Sequence, residues 1–351
     1  MQRPSLEREF IVIGENIHAT RILLRGGTSI TTTEEGKEAI RFQGADGGVR
    51  HLPVPEEYKK TQDYQEGRIK HIKIAVQAAM SGRGPESALG LEYLHQKVRQ
   101  QIEAGAHFID LNVDEVSLRP EQQKEAMVWL VKTAGAISSV PLSVDSSNSD
   151  TIQAGLQVCP KSVGRPLLNS ASLERINALD FVVENGAQAV VSAAGESGMP
   201  KDQDERVANA SRIIEAALAK GIPLHDLYVD ALVFPISVDG DFGNHYLEAV
   251  RTIRQKYGPE IHITGGLSNV SFGIPMRRLV NNVFLLLAME AGADSGIIDP
   301  AAARVDQVMA MDRESRSYQL AADMLLGRDP GCRKFLRAYR NKELQTGVGA
   351  S

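Results

Sequence analysis

The sequence predicts an α/β protein of the (β/α)8 TIM-barrel class with a large insertion after the first strand. Three observations carry this. Short apolar runs that end in polar or acidic residues recur eight times along the 351 residues. These runs are rich in β-branched residues and lack clean alternation, the pattern of strands buried on both faces of a parallel sheet. From the second run onward, each gap leaves room for one helix and two short loops. Eight such units favour a closed parallel barrel over the alternative, an open doubly wound sheet.

In order, the runs are Glu9 to Asn16, His107 to Asp114, Val140 to Ser147, Arg165 to Ala171, Ala189 to Ala194, Asp226 to Leu232, Ile261 to Leu267 and Ser295 to Asp299. Helices fit between them. Leu91, Leu94, Val98 and Ile102 stand at helical spacing before Gly105, a C-terminal stop. Val207, Ile213, Ile214, Ala217 and Leu218 repeat the design, ended by Gly221 and Pro223, and Arg278 to Gly292 is a third case. The exception is the first connection. About ninety residues separate Asn16 from His107, with turn-forming clusters that predict a hairpin near Ile30 to His51 and a helix from about Pro55 to Met80. Structureless stretches of that length are rare in compact domains. The segment within 19–88 is therefore expected to fold as an inserted subregion over the barrel mouth, inside a single domain spanning 1–351.

Composition narrows the function classes. Apolar residues make up 42% and charged residues 24%, ordinary for a soluble globular chain. A net charge of −5 speaks against nucleic acid or an anionic membrane as the main partner. The longest apolar stretch, Val283 to Met289, falls far short of the roughly 20 residues a membrane span needs. Met1 to Glu9 is polar, without the apolar core of a signal peptide. Cys159 and Cys332 are too isolated for a disulfide framework or a CxxC metal site. A cytoplasmic location is expected.

Active sites of such barrels form at the carboxyl ends of the strands. Here those ends carry Glu15 and Asn16, then Asp110, Asn112 and Asp114, then Asp145, Asn169, Asp230, Ser268 with Asn269, and Asp299. No His ends a predicted strand, and no Lys stands where a Schiff base would form. Carboxylates alone suit either a divalent metal or a ligand edge rich in N–H donors. The amides offer donors and acceptors without added charge and shift the balance to the second. A reduced pterin has such an edge, with an amino group and ring N–H donors beside acceptors. His18, His107, His245 and His262 are scattered, with no HxxxH, HxxE or clustered Cys, so no intrinsic metal is expected.

At these residues the sequence resembles a family of pterin-binding methyltransferases. It includes the methyltetrahydrofolate:corrinoid methyltransferases and the folate-binding module of cobalamin-dependent methionine synthase, with dihydropteroate synthase more distant. The matching pieces are Ile13 to Ile17, Ala106 to Val113, Leu142 to Asn148, Leu168 to Ala171, Gly198 to Asp202, Asp226 to Asp230, Gly266 to Ser271, Phe272 to Arg278 and Asn281 to Leu285. The resemblance implies that Asp145 and Asp230 hold the aminopyrimidine edge of the pterin and that Asn169 is a further contact. It places Asp110, Asn112 and Glu15 near the same ring. Asn269 matches the family's mobile Asn, which approaches N5 of the folate, and Ser268 helps to position its loop.

The implied reaction moves the N5-methyl group between methyltetrahydrofolate and the cobalt of a corrinoid. Cobalt(I) attacks the methyl carbon, and a hydrogen bond that strengthens as N5 gains charge lowers the barrier. A carboxamide cannot itself supply a proton. No DxHxxG cobalamin motif is present, so the corrinoid is expected from a separate corrinoid-binding protein docking over the barrel mouth. A homodimer is the family expectation. Two rivals stand beside this reading. A dihydropteroate synthase-like enzyme needs a Gly-rich loop after the second strand, where Val113 to Ser117 stands instead. A non-catalytic pterin-binding scaffold of a corrinoid methyltransferase complex would bind without turnover. Arg277 and Arg278 are read as a solvated helix start, with contact to a folate glutamate tail as the alternative.

Overall fold

The computed structural model describes residues 9–345; most of the polar stretch Met1 to Glu9 lies outside the described residues. Eight strands form one sheet: β1 (Ile11–His18), β2 (Phe108–Asn112), β3 (Leu142–Asp145), β4 (Leu167–Ala171), β5 (Gln188–Ser192), β6 (Leu227–Asp230), β7 (His262–Thr264) and β8 (Ser295–Ile298). Their order is β7-β6-β5-β4-β3-β2-β1-β8. The end strands β7 and β8 are joined through a parallel bridge between Gly266 and Ile297. The sheet thus closes on itself as the predicted (β/α)8 barrel. Helices follow β2 to β7 in turn: Pro120–Gly135, Ser149–Gln157, Ala178–Asn185, Gln203–Ala219, Phe242–Tyr257 and Arg277–Ala291.

By internal packing the chain divides into two compact units, Gly14–Asn169 and Met1–Ile13 with Ser170–Ser351. In the first, parallel register sets Asn112 opposite Asp145 and Asp145 opposite Asn169. In the second, it sets Ser192 opposite Asp230 and Asp230 opposite Thr264. Each unit therefore carries a row of polar strand ends, because neighbouring parallel strands stop at matching heights. Asp294, just before β8, accepts from Ile263 N at 2.8 Å, His262 Nδ1 at 3.0 Å and Arg254 Nη2 at 3.0 Å. That network ties the entries of β7 and β8, and it gives His262 a structural task.

Within Gly14–Asn169, the insertion folds. Ile30–Thr32, Glu38–Gln43 and Val49–Pro53 form an antiparallel meander, and Ile22–Leu24 pairs with Arg68–Lys70. The meander packs on the helix Gly84–Glu103: Phe42 meets Tyr93 edge to face at 5.0 Å, and Arg50 reaches Glu92 at 3.4 Å. The following segment touches the loop after β2, with Lys70 Nζ 2.6 Å from Glu115 and Gln77 Nε2 donating to Val116 O at 2.8 Å.

The continuous helix expected over Pro55 to Met80 is broken. Turns at Glu56–Lys59 and Gln62–Gln65 lead into the strand Arg68–Lys70, and the helix begins at His71 and ends at Ser81. Three local features cause this. Thr61 caps the second turn by accepting from Tyr64 N, and Gly67 takes a left-handed φ of 76°. The Tyr58 hydroxyl then pins the new strand, donating to Arg68 O at 3.1 Å and accepting from Lys70 N at 2.7 Å. The helix Gly84–Glu103 buries Tyr93, Leu94, Val98 and Gln101, whereas Leu91 of the predicted stripe is exposed. Cys159 and Cys332 are buried and free. Among the described residues no helix is long and apolar enough to cross a membrane.

Candidate active site

In the unit Gly14–Asn169, β1 runs two residues past its expected end, to His18. Its path is held from below. The Gln101 side chain, wholly buried, accepts from Asn16 N at 2.9 Å. It passes so close to Gly14 that a Cβ there would lie 2.5 Å from Gln101 Oε1. At the end of the strand His18 Nε2 meets Asp110 Oδ2 at 2.8 Å. Asn169 Nδ2 donates to the same carboxylate at 3.3 Å. Asn112 Nδ2 donates to Asp145 Oδ2 at 3.0 Å, and Asn112 Oδ1 accepts from Asp114 N at 3.0 Å. Glu15 pairs with Arg21 at 3.3 Å, and the guanidinium also bonds Asn16 Oδ1.

The electrostatics follow from this crowding. Asp110 is wholly buried, and among the described residues no Lys or Arg pairs with Asp110 or Asp145. Burial pushes the Asp145 carboxyl well above the usual carboxylate range, and the neighbouring Asp110 charge adds to the effect. Burial works against a charged His18, yet the hydrogen bond and charge of Asp110, with Asp145 and Glu15, hold its pKa above the ordinary value. One polar atom from each of His18, Asp110 and Asp145 lies within 4.8 Å of the others. Such a set attracts cationic or N–H-bearing groups. The amides of Asn112 and Asn169 turned onto these carboxylates match the flat donor edge of a heterocycle, because each amide adds a donor and an acceptor in a fixed plane.

The second unit carries its own group. Asp230 ends β6 and accepts from Leu232 N at 2.8 Å, while Leu232 takes a left-handed φ of 64°. That turn is braced by Arg206, wholly buried, whose Nε donates to Ala231 O at 3.1 Å and Leu232 O at 3.3 Å. Its Nη1 donates to Asp202 O at 2.9 Å, and the guanidinium lies over the Phe234 ring at 4.7 Å. Burial pushes the Asp230 carboxyl up to about 6, with the Leu232 N–H and Arg206 opposing.

Ser268 and Asn269, both half-buried, stand in the single turn Leu267–Ser271 that follows β7. A Cβ on Gly266 would lie 2.8 Å from Asn269 Nδ2, so the bare glycine leaves the amide its place. Arg277 donates to Ser268 O and to Ser271 Oγ, each at 3.0 Å, and stacks over Phe272 at 4.4 Å. It buttresses the Asn269 turn from an exposed position, and with Arg278, also exposed, it forms the expected solvated start of the helix Arg277–Ala291.

The structure thus brings Asp110, Asn112, Asp145 and Asn169 together, with Glu15 on the adjoining strand. Asp230, Ser268 and Asn269 occupy neighbouring strand ends of the other unit. Sequence reasoning misses two participants. His18 escapes it because the first apolar run ends, by pattern, at Asn16; the buried Ile17 is the available signal. Arg206 sits in the charged run Asp202 to Arg206, and nothing in its spacing marks it as buried.

A parallel barrel whose strand ends bring the buried Asp110 and the half-buried Asp145 together with the amides of Asn112 and Asn169 has a chemistry suited to a planar, donor-rich ligand. Residues 87–299 match the family described as Pterin binding enzyme, and the chain belongs to that family. It is 28% identical to the methylcorrinoid:tetrahydrofolate methyltransferase of Eubacterium limosum, over 72% of this chain and 89% of the relative. It is 29% identical to methionine synthase of Mycobacterium leprae (strain TN), over 66% of this chain but only 19% of that longer protein. Among solved structures, dihydropteroate synthase from Stenotrophomonas maltophilia, with imidazole in its active site, superposes with a TM-score of 0.51. That match covers 63% of this chain and 86% of the other at 18% identity, a likeness of fold alone.

Proposed function

We propose that this protein moves the N5-methyl group between methyltetrahydrofolate and the cobalt of a corrinoid protein. The observation that carries this is the pair of strand-end carboxylates Asp110, wholly buried, and Asp145, half-buried, unmatched by Lys or Arg and framed by Asn112 and Asn169. Their remaining lone pairs suit the N–H donors of such an edge. In this reading Asp145, Asn169 and Asp230 hold the pterin, with Asp110, Asn112, Ser268 and Glu15 lining or positioning the same ring. Charge-assisted bonds of this kind contribute about 1.5–3 kcal/mol each.

Asn269 assists at N5. Its amide accepts from a protonated N5 or relays through water, and it accelerates transfer only so far as that bond is stronger in the transition state than in the bound folate. The chain uses no metal of its own; the corrinoid arrives on a partner protein and leaves with it. The protein works in the cytoplasm as a homodimer, with 1–351 as one pterin-binding domain and the insertion within 19–88 beside the approach of the partner. The names of the Eubacterium and Mycobacterium relatives support the reaction class.

Mixing the protein with methyltetrahydrofolate and cob(I)alamin tests it, the product being methylcobalamin followed by its absorbance. Tight folate binding without any transfer would favour the scaffold reading. No binding, by calorimetry, would remove the proposal. A dihydropteroate synthase-like activity is disfavoured by the loop after β2, which runs Val113 to Ser117 without a glycine.

A further inference from the structure

The proposed transfer leaves one proton without a source. As the methyl carbon departs, the C–N5 bond breaks and a Co–C bond forms. Cobalt passes from the +1 to the +3 state, and N5 keeps the bonding pair and must gain a proton. Asn269 holds a hydrogen bond but has no acidic proton to give. In the folate reading Asp145 and Asp230 hold the aminopyrimidine edge of the pterin rather than N5, and Asp110 is taken up by His18 and Asn169.

His18 differs from all of them. It stands at the carboxyl end of β1, its side chain 12% exposed, so solvent can recharge it. Its Nε2 is fixed on Asp110 at 2.8 Å, and Asp110 is in turn held by the Asn169 amide. Among the described residues its Nδ1 takes no hydrogen bond. The ring is therefore oriented through one nitrogen and presents the other. The charged groups around it are Asp110 from β2, Asp145 from β3 and, on its own strand, Glu15, which is neutralised in part by Arg21.

We propose that His18, oriented by Asp110, is the catalytic acid that delivers the proton from Nδ1 to N5 as the methyl leaves. In the reverse direction the neutral ring takes that proton back from N5 of tetrahydrofolate as the methyl carbon arrives from cobalt. This rests on the folate reading above. Asp110 is a positioning residue: it fixes the tautomer by accepting from Nε2 and favours the imidazolium. The raised pKa of His18 agrees with this role, since it favours the charged ring despite its burial.

The test is the single-turnover rate of transfer from saturating methyltetrahydrofolate to cob(I)alamin, followed across pH in wild type, His18→Gln and Asp110→Asn. Wild-type transfer should fall as pH rises through the raised His18 value. His18→Gln should lose that limb and slow transfer at neutral pH by about 10²-fold or more, with folate affinity within a few-fold. Asp110→Asn should move the limb to lower pH. Titration of Asp145 alters folate affinity, and saturating folate removes it from the rate. Nitrogen-15 histidine spectra of the wild type need no variant: the His18 resonances should titrate above the ordinary value of about 6.5 and shift when folate binds. A His18→Gln rate and pH limb equal to wild type would overturn the inference while leaving the folate reading intact, as would His18 resonances indifferent to folate. A wild type that neither binds folate nor transfers methyl would overturn both.

Discussion

Asp230→Asn should make the ligand-free protein more stable and the folate complex weaker, with a pH dependence whose sign is set by burial. In the folded chain the Asp230 carboxyl is pushed from its ordinary value of 3.8 up to about 6. Below the ordinary value both folded and unfolded chains hold the proton, and the group costs nothing. As pH climbs from about 4 to about 6 the unfolded chain ionises first, so stability falls; above about 6 the full cost remains. At about 1.4 kcal/mol for each tenfold change in proton affinity, that cost is roughly 3 kcal/mol at pH 8.

Asn is nearly isosteric and can still accept from Leu232 N, now at 2.8 Å from the Asp230 carboxylate. It removes the charge without opening a cavity. Urea denaturation of wild type and variant at pH 4 and pH 8 would read the effect. The variant should gain about 2–3 kcal/mol at pH 8 and almost nothing near pH 4, and its stability should vary less with pH. The same change should weaken methyltetrahydrofolate binding by about 10- to 100-fold, the worth of one charge-assisted bond. An Asp230→Asn protein less stable than wild type at pH 8 would refute the claim that this carboxylate is stored at a cost for a ligand. The attraction between Asp230 and Arg206 would then outweigh the cost of burying the charge.

Three further outcomes are expected. Gly266→Ala should leave the fold intact, since φ is −71° there, yet slow methyl transfer toward the level of Asn269→Ala, because the new Cβ meets the Asn269 amide; an unchanged rate would show that Asn269 moves freely. Gln101→Leu should destabilise the protein by about 1–3 kcal/mol through the unpaired Asn16 N–H, measured by urea denaturation, and no loss would mean water replaces the amide oxygen. Deleting residues 28–52 uncovers Tyr93 from Phe42 and should lower the thermal midpoint; folate affinity by calorimetry should survive and transfer to the partner protein should change, whereas lost folate binding would place the meander in the pocket.

The barrel was legible because parallel strands buried on both faces leave unbroken apolar runs such as Leu227 to Val229 and Ala189 to Val191. The strand-end acids and amides were legible for a related reason: a polar residue that closes such a run has few other uses. What the pattern hid depended on side chains that reach across the fold. His18 follows the apolar run of β1 rather than closing it, and only its meeting with Asp110 gives it meaning. Arg206 is charged in sequence and buried in space, since three backbone carbonyls and the Phe234 face replace water. The helix Gly84–Glu103 turns Tyr93 and Gln101 inward instead of Leu91, because the insertion and the distant Asn16 N–H supply their partners. Periodicity carries no information about such contacts.

A crystal structure of the protein with methyltetrahydrofolate tests the central claim most directly. One pterin ring is expected in contact with Asp145, Asn169 and Asp230, its N5 approached by Asn269. A folate bound elsewhere, or touching one strand-end group and not the other, would contradict it.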